Sequence, residues 1–133
     1  MADWKIVEGD EDEEKRVGGF IDAHAEAQGV EFRSYRFHVE ADGEMVAGVT
    51  AWSLGPDLHI DMLGVDERHR KEGLGSALLA RVEEAGRTEG CTTASIDTFS
   101  FQAPDYYPRH GYEEIFRYTL TDGTQHIYFS KCL

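Results

Sequence analysis

The chain has 133 residues, a mass of 15.0 kDa and 41% apolar residues, which is enough for one hydrophobic core and one domain of ordinary size. Thirteen Lys and Arg stand against 26 Asp and Glu, for a formal charge of −13. This acidity disfavours binding to nucleic acids or to anionic membranes, because both require a basic surface. It fits either a cationic substrate or a source whose proteins are acidic in general.

Location and redox state follow from what the sequence lacks. The opening MADWKIVEGD has no apolar run after a basic start, and no segment approaches the roughly 18 apolar residues of a membrane-spanning helix. We therefore expect a soluble, cytoplasmic protein. Two cysteines, Cys91 and Cys132, are too few for a disulfide scaffold and match no metal-site spacing, so we expect reduced thiols.

The N-terminal half predicts one helix and four strands. Residues 4–8 alternate and predict a first strand, and Asp10 then supplies an N-cap. Residues 11–28 carry apolar side chains at helical spacing and predict a helix with one apolar face. Turns rich in Gly, Pro and Asp separate three further strands, which predicts an antiparallel meander over residues 32–39, 45–52 and 58–65.

The C-terminal half predicts a crossover followed by a hairpin. A helix begins after Gly73 and closes near Gly90, and its apolar stripe must lie on the sheet. Residues 92–99 form a further strand, which this helical crossover allows to run parallel to residues 58–65. Residues 104–110 predict a short helical or irregular turn. An antiparallel pair then closes the sheet, over residues 112–119 and 126–132.

The connection between strand 58–65 and the helix has the composition of an anion site. Residues 68–71, with the sequence RHRK, put three fixed positive charges side by side in an acidic chain. A helix start adds unpaired N–H groups and a positive dipole end, and Gly73 and Gly75 allow a phosphate to approach the backbone. Ser76 adds a hydroxyl. The charge of Glu72 would oppose such a ligand unless that side chain points outward.

Other site classes lack support. The G-x-x-x-x-G-K-[ST] loop of nucleotide hydrolases is absent, and a dinucleotide-binding loop would need glycine where Leu78 stands. Antiparallel strands also precede the site, where a doubly wound fold would alternate strand and helix. The six histidines show no metal-binding spacing, and no serine stands in a nucleophile elbow.

The residues resemble a known family. Residues 70–75, RKEGLG, resemble the [QR]-x-x-G-x-[GA] signature of the GNAT superfamily of N-acetyltransferases. Residues 103–112, APDYYPRHGY, are similar to its A-x-x-F-Y-x-x-x-G-F segment. The resemblance spans residues 57–112 and implies a single GNAT domain over residues 1–133. The implied fold is α/β, with a mixed, mostly antiparallel sheet of six to seven strands, helices on both faces and a splay between two central parallel strands.

The resemblance implies acetyl-CoA as the co-substrate, without a metal. In this family Leu63 and Val65 would offer strand backbone to the pantetheine arm and to the thioester carbonyl, on which negative charge develops during transfer. The pyrophosphate would lie on the loop formed by Arg70, Lys71, Gly73, Leu74, Gly75 and Ser76. At a position where many relatives carry an asparagine that contacts the cofactor, this chain has Ser100.

The family motif also implies catalytic residues. Tyr107 falls on the tyrosine that protonates the departing CoA thiolate, and its alternative is an aromatic core residue, the role we expect for Tyr106. His59 stands where several relatives carry a glutamate base, and an imidazole titrates near neutrality and can accept the proton of the amine. Asp61, on the same strand face, is an alternative base or an orienting partner. Both strand residues are equally compatible with simple exposure.

The expected function is direct transfer of an acetyl group from acetyl-CoA to a primary amine. The acceptor stays open between a small polyamine-like or aminoglycoside-like cation and a protein amine. Aromatic residues fit an acceptor pocket, a core or a homodimer face, namely Phe99, Phe101, Phe116, Tyr106 and Tyr118. The alternatives are a non-catalytic acyl-CoA-binding regulatory module and an interaction domain without a cofactor.

Overall fold

The computed structural model describes residues 3–133. In this part of the chain the elements are α1 (Glu11–Ala27), β1 (Phe32–Ala41), β2 (Glu44–Leu54), β3 (Asp57–Val65), α2 (Leu74–Thr88), β4 (Thr93–Phe99), β5 (Glu113–Thr119) and β6 (Gln125–Cys132). Short 3-10 turns occupy Glu67–His69 and Pro108–His110. The chain divides into two compact units, Met1–Phe32 and Arg33–Leu133.

The first unit contains α1, which begins with a capping box. The Asp10 carboxylate accepts a hydrogen bond from the Asp12 N–H at 2.9 Å, and the Glu13 carboxylate accepts one from the Asp10 N–H at 3.2 Å. The predicted helix and its cap are confirmed. The strand predicted for residues 4–8 is wrong, because these residues are exposed and pair with no strand of the described chain. A short alternation of apolar and polar residues is therefore a weak indication of a strand when no neighbouring strand pairs with it.

The second unit is built on one six-stranded sheet in the order β1-β2-β3-β4-β6-β5. β3 runs parallel to β4, whereas the β2–β3, β4–β6 and β5–β6 pairs are antiparallel. Asp42 and Gly43, with φ of 53° and 79°, form the tight turn between β1 and β2. The predicted mixed sheet with one parallel pair is confirmed. Coverage of both its faces by helices stays a prediction.

The core of this unit lies between α2 and the sheet. α2 contacts β2 and β3, and its apolar stripe is buried as predicted. A Cβ atom at Gly86 would lie 2.9 Å from Leu58 Cδ2, so the helix backbone approaches β3 closely at that point. The largest fully buried side chains of this core are Leu58, Ile60, Leu79, Ile127, Val49 and Val82.

The buried carboxylate of Glu83 connects α2 to β6 and to the segment just before β5. Glu83 of α2 is 4% exposed and accepts hydrogen bonds from the Tyr112 hydroxyl and from Lys131 Nζ, both at 2.8 Å. Burial, and then the hydrogen bond to Glu83, raises the pKa of the Tyr112 phenol. These contacts fix α2 against β6 and against the segment that follows Tyr107.

The parallel pair opens into a splay. β3 and β4 pair only at Asp57 with Thr93, Leu58 with Ala94 and His59 with Ser95. Beyond His59 the two strands diverge, although β3 continues to Val65 and β4 continues to Phe99. The predicted splay is therefore confirmed, and it opens toward the carboxyl ends of both strands.

β3 also carries a bulge beside the splay. In its pairing with β2, Thr50 lies opposite Met62 and Ala51 lies opposite Ile60, so Asp61 is the extra residue. Ile60 is buried before the bulge, and Leu63 packs against the same core after it. Because of the bulge, even-numbered residues of β3 face α2 before Asp61, and odd-numbered residues face α2 after it. The bulge leaves Asp61 exposed.

Candidate active site

The loop between β3 and α2 has a backbone shaped for an anion. Lys71 and Gly73 adopt left-handed conformations, with φ of 67° and 81°. Gly73 occupies the N-cap position of α2, and no side chain caps this helix. The first N–H groups of α2 therefore remain available to a ligand at the positive end of the helix dipole.

Ion pairs within the loop leave two of its cations free. Arg68 Nε lies 3.1 Å from Asp66 Oδ1, and this guanidinium holds the pKa of Asp66 down to about 2. Glu72 Oε2 lies 3.3 Å from His69 Nδ1, so its carboxylate has a hydrogen-bond partner within the loop. Arg70 and Lys71 are exposed and make no ion pair with residues 3–133. They are the charges available to a phosphate.

Two side chains from the segment after β4 meet the first turn of α2. Ser76 Oγ lies 2.9 Å from His110 Nε2 and 3.3 Å from the Tyr106 hydroxyl. His110 Nδ1 donates to the carbonyl of Tyr106 at 2.9 Å, so in the neutral ring Nε2 accepts from Ser76. A Cβ at Gly75 would lie 2.8 Å from the Tyr106 hydroxyl. Tyr106, expected in the core, is half-buried with its hydroxyl at the loop.

Tyr107 packs deeper than Tyr106. It is 9% exposed, and its ring lies edge-on to those of Tyr106 at 5.4 Å and Tyr112 at 6.0 Å. Burial raises the pKa of the Tyr107 phenol, with smaller contributions from Tyr106 and from the charge of Asp97. Its hydroxyl makes no hydrogen bond to any described residue. The phenol is therefore protonated at neutral pH, and its proton is not committed to another protein group.

His59 lies on the sheet face that points away from α2. Its ring packs 5.0 Å from that of Trp52, its Nδ1 is 2.9 Å from Ser95 Oγ and its Nε2 is 3.5 Å from Asp97 Oδ1. The carboxylate beside His59 is thus Asp97 of β4, whereas Asp61 is displaced by the bulge. Asp97 also bonds to His126 Nε2 at 2.7 Å.

The backbone positions predicted for the pantetheine arm lie within the splay. Leu63 and Val65 pair with Val49 and Ala47 of β2 on one edge, and no strand within residues 3–133 pairs with the opposite edge of β3 there. Ser100 is engaged elsewhere, because its Oγ accepts a hydrogen bond from the Gln125 N–H at 2.9 Å.

Comparison with known protein families identifies the family of this chain. Residues 3–112 match the Acetyltransferase (GNAT) family. The chain belongs to this family. The match includes the N-terminal third, which the two motifs alone did not reach.

Known relatives agree with this GNAT assignment. Blasticidin-S acetyltransferase of Streptomyces morookaense is 44% identical over 71 residues, which are 53% of this chain and 52% of that protein. The matches therefore span about half the length of the curated relatives. The crystal structure of an acetyltransferase from Bacillus cereus ATCC 14579 has a TM-score of 0.74 and 31% identity over 98% of each chain. An aminoglycoside 6'-N-acetyltransferase complexed with coenzyme A shares the fold, with a TM-score of 0.65 and 14% identity over 74% of this chain and 72% of that one.

A cavity of about 620 Å³ opens in this GNAT sheet. It lies over β1, β2 and β3, and its wall includes Thr50. The side chains of Thr50 and Trp52 lie on the same face of β2, because the two residues are two positions apart. Thr50 Oγ1 is buried without a hydrogen-bond partner in the described chain. Other lining residues include Arg36, His38, Met45, Met62 and Asp66.

Three polar residues of this site were missed by sequence reasoning, namely Asp97, His126 and His110. The first two lie on different strands, and only the register of β4 on β6 brings them together. Their sole local signal was alternation, since Ser95, Asp97 and Phe99 share one face of β4. For His110 the signal was its spacing of four residues from Tyr106.

In residues 3–133, no helix is long and apolar enough to cross a membrane. Both cysteines of the GNAT chain are free, as predicted, with Cys91 buried and Cys132 exposed.

Proposed function

We propose that this protein transfers an acetyl group from acetyl-CoA directly to a primary amine. The observation that carries the proposal is the junction of two features. The splay between β3 and β4 opens toward the uncapped N-terminus of α2, where Arg70 and Lys71 make no ion pair within the described chain. One elongated ligand with a diphosphate in its middle and a thioester at its end fits this junction.

The donor would bind in two parts. Its pyrophosphate accepts hydrogen bonds from the backbone of residues 73–76 and charge from Arg70 and Lys71. Its pantetheine arm runs along the free edge of β3 at Leu63 and Val65 as an added strand. A backbone N–H at this edge then polarises the thioester carbonyl as negative charge develops on its oxygen.

The transfer needs one proton acceptor and one proton donor. His59 takes a proton from the acceptor ammonium, and the free amine attacks the acetyl carbon. As the tetrahedral intermediate collapses, the carbon–sulfur bond breaks and the sulfur takes the proton of Tyr107. The second proton lost by the nitrogen restores the phenol, so each turnover releases one proton to solvent.

The acceptor in this proposal is a small cationic amine. The cavity over β1, β2 and β3 has room for a small molecule, and Thr50 of β2 contributes to its wall. The charge of −13 favours a cation and disfavours nucleic acid and anionic membranes. The relative named for blasticidin S supports an antibiotic-like amine, while a protein amine and a homodimer remain open to test.

We further propose that residues 1–133 form one acetyltransferase domain that works in the cytoplasm. The family match runs across both compact units, which supports a single functional domain. Free thiols are typical of a reducing compartment.

The proposal is tested by incubating the protein with acetyl-CoA and a mixture of primary amines. Release of free CoA thiol and a mass increase of one acetyl group on an amine are the expected results. The Tyr107→Phe variant should bind acetyl-CoA and release little CoA. Tight binding of CoA without turnover on any amine would instead support the acyl-CoA-binding regulatory module. A melting temperature unchanged by excess CoA would exclude both.

A further inference from the structure

The carboxylate of Asp97 is shared between two histidines on the sheet face away from α2. Oδ2 lies 2.7 Å from His126 Nε2, and Oδ1 lies 3.5 Å from His59 Nε2. The Asp97 side chain is 33% exposed, compared with 20% for His59 and 12% for His126. The group is thus open to solvent on one side and enclosed on the other.

The enclosed side holds Asp97 in one orientation. His126 Nδ1 lies 2.9 Å from the Tyr118 hydroxyl, and its ring stacks 4.2 Å from that of Phe99 and lies tilted at 4.6 Å from that of Tyr128. When Tyr118 donates to Nδ1, the neutral ring carries its proton on Nε2 and donates it to Asp97 Oδ2. Oδ1 is then left pointing toward His59.

The open side has the geometry of a receptor for a cation. His59 Nδ1 is engaged by Ser95 at 2.9 Å, and donation to that hydroxyl leaves a lone pair on Nε2. The gap of 3.5 Å between Nε2 and Asp97 Oδ1 is too long for a strong direct hydrogen bond. One ammonium group can donate to both atoms at once, because its protons diverge while these two acceptors converge.

We propose that His59 Nε2 and Asp97 Oδ1 together seat the acceptor ammonium, and that His126 and Tyr118 are positioning residues for Asp97. This inference rests on the proposed acetyl transfer and narrows its substrate to aliphatic amines that are protonated at neutral pH. Asp97 binds the cation and His59 removes its proton. The imidazolium that results is paired with the same carboxylate, which holds it until the proton passes to solvent.

The test compares Asp97→Asn with the wild-type protein on a fixed panel of alkyl diamines, polyamines and aniline, with CoA thiol release as the assay. We expect Asp97→Asn to lower kcat/KM for the alkylamines by about 100-fold, mainly through the KM of the amine, with the Kd of acetyl-CoA unchanged. Wild-type protein should acetylate aniline poorly, because aniline is neutral at pH 7. Glu84→Gln is a matched control, because Glu84 lies on α2, 3.4 Å from Arg87 and outside this group, and should leave kcat/KM unchanged.

Variants of His126 and Tyr118 test their proposed role in positioning Asp97. His126→Gln keeps an N–H donor to Asp97 and should retain most activity, whereas His126→Phe should lose nearly as much as Asp97→Asn. Tyr118→Phe should raise the KM of the amine severalfold without changing that of acetyl-CoA. Melting curves establish which of these three variants fold. The kinetics of any one folded variant are sufficient to test the positioning role.

The outcomes separate the two levels of the proposal. If wild-type protein releases no CoA with any amine of the panel, the proposed acetyl transfer fails. If wild-type protein is active but Asp97→Asn matches it, or aniline reacts as well as the alkylamines, the transfer stands and the ammonium seat is wrong.

Discussion

At the scale of single residues, the environment of Tyr107 suits it to donate a proton to a thiolate. The buried Tyr107 phenol resists ionisation, because burial and, to a smaller extent, Tyr106 and the negative charge of Asp97 raise its pKa. It therefore keeps its proton at neutral pH, as the proposed role of a general acid requires. The neighbouring Tyr112 has the same chemistry but gives its hydroxyl to Glu83 at 2.8 Å, so it serves the packing of α2 instead.

We expect Tyr107→Phe to lower kcat by at least about 100-fold, because the thiolate loses its proton donor. A general acid must be protonated, and the raised pKa places its loss of function above the ordinary tyrosine value of about 10. On the alkaline side, the kcat of wild-type protein should thus decline only above that value, and this limb should vanish in the variant. Tyr112→Phe is the control, expected to lower stability and leave the limb in place. A limb that persists in Tyr107→Phe would contradict the assignment.

Gly75 illustrates how one missing methyl group shapes the loop. A Cβ there would meet the Tyr106 hydroxyl at 2.8 Å but the ring carbon behind it at 3.6 Å, an ordinary contact. We expect Gly75→Ala to raise the Kd of acetyl-CoA severalfold by displacing Tyr106 from Ser76. In a Tyr106→Phe background the same alanine should have little further effect. Calorimetric titration of all four proteins measures this coupling, and strictly additive changes would refute it.

At the scale of elements, the contact between α2 and β3 leaves no room for a side chain at Gly86. We expect Gly86→Ala to destabilise the protein, because overpacking against buried Leu58 costs about 1–3 kcal/mol. The gain in helix propensity offsets only about 1 kcal/mol of this. Gly18→Ala in α1 is the matched control, since nothing lies within 4 Å of a Cβ there and the free energy of unfolding should rise. Urea denaturation of both variants distinguishes them, and equal shifts would contradict the packing argument.

Elements defined by local chemistry were predicted well from the sequence. The Asp10 N-cap, the Asp42-Gly43 turn and the apolar stripe of α2 all act within a few residues, so their patterns are visible in the chain itself. Residues 4–8 show the limit, since a strand exists only with a partner and five alternating residues do not supply one.

The site was predicted unevenly for the same physical reason. The anion loop is continuous in sequence, and the structure leaves its backbone uncapped as expected. The partner of His59 was assigned to Asp61 because an ideal strand repeats every two residues. The bulge breaks that period, and Asp97 from β4 occupies the place beside the ring. Register between distant strands depends on the whole sheet, so no local pattern carried it.

At the scale of the whole molecule, the excess of acidic residues acts on the two substrates in opposite directions. A charge of −13 attracts cationic amines over long range and repels the anionic cofactor, which only the local cations of the loop counteract. Salt screens such forces, with a Debye length of about 10 Å at 0.1 M.

We therefore expect the KM of a polyamine to rise as salt increases from about 50 to about 500 mM at saturating acetyl-CoA. The effect should grow with the charge of the amine, so a monoamine provides the matched comparison. Steady-state kinetics with the two acceptors measures the difference. A KM that ignores both salt and acceptor charge would show that the net charge reflects the source of the protein and not its substrate.

The free edge of β3 beyond His59 has a consequence for the protein without its cofactor. An unpaired strand edge in the middle of a sheet promotes association, because its amides and carbonyls can form hydrogen bonds with a strand of another molecule. We expect the amides of residues 60–65 that face β4 to exchange with deuterium faster in the empty protein than with CoA bound, while those that face β2 change little. On this view the cofactor acts as the missing strand, and storage with CoA should keep the protein in solution at concentrations where the empty form aggregates.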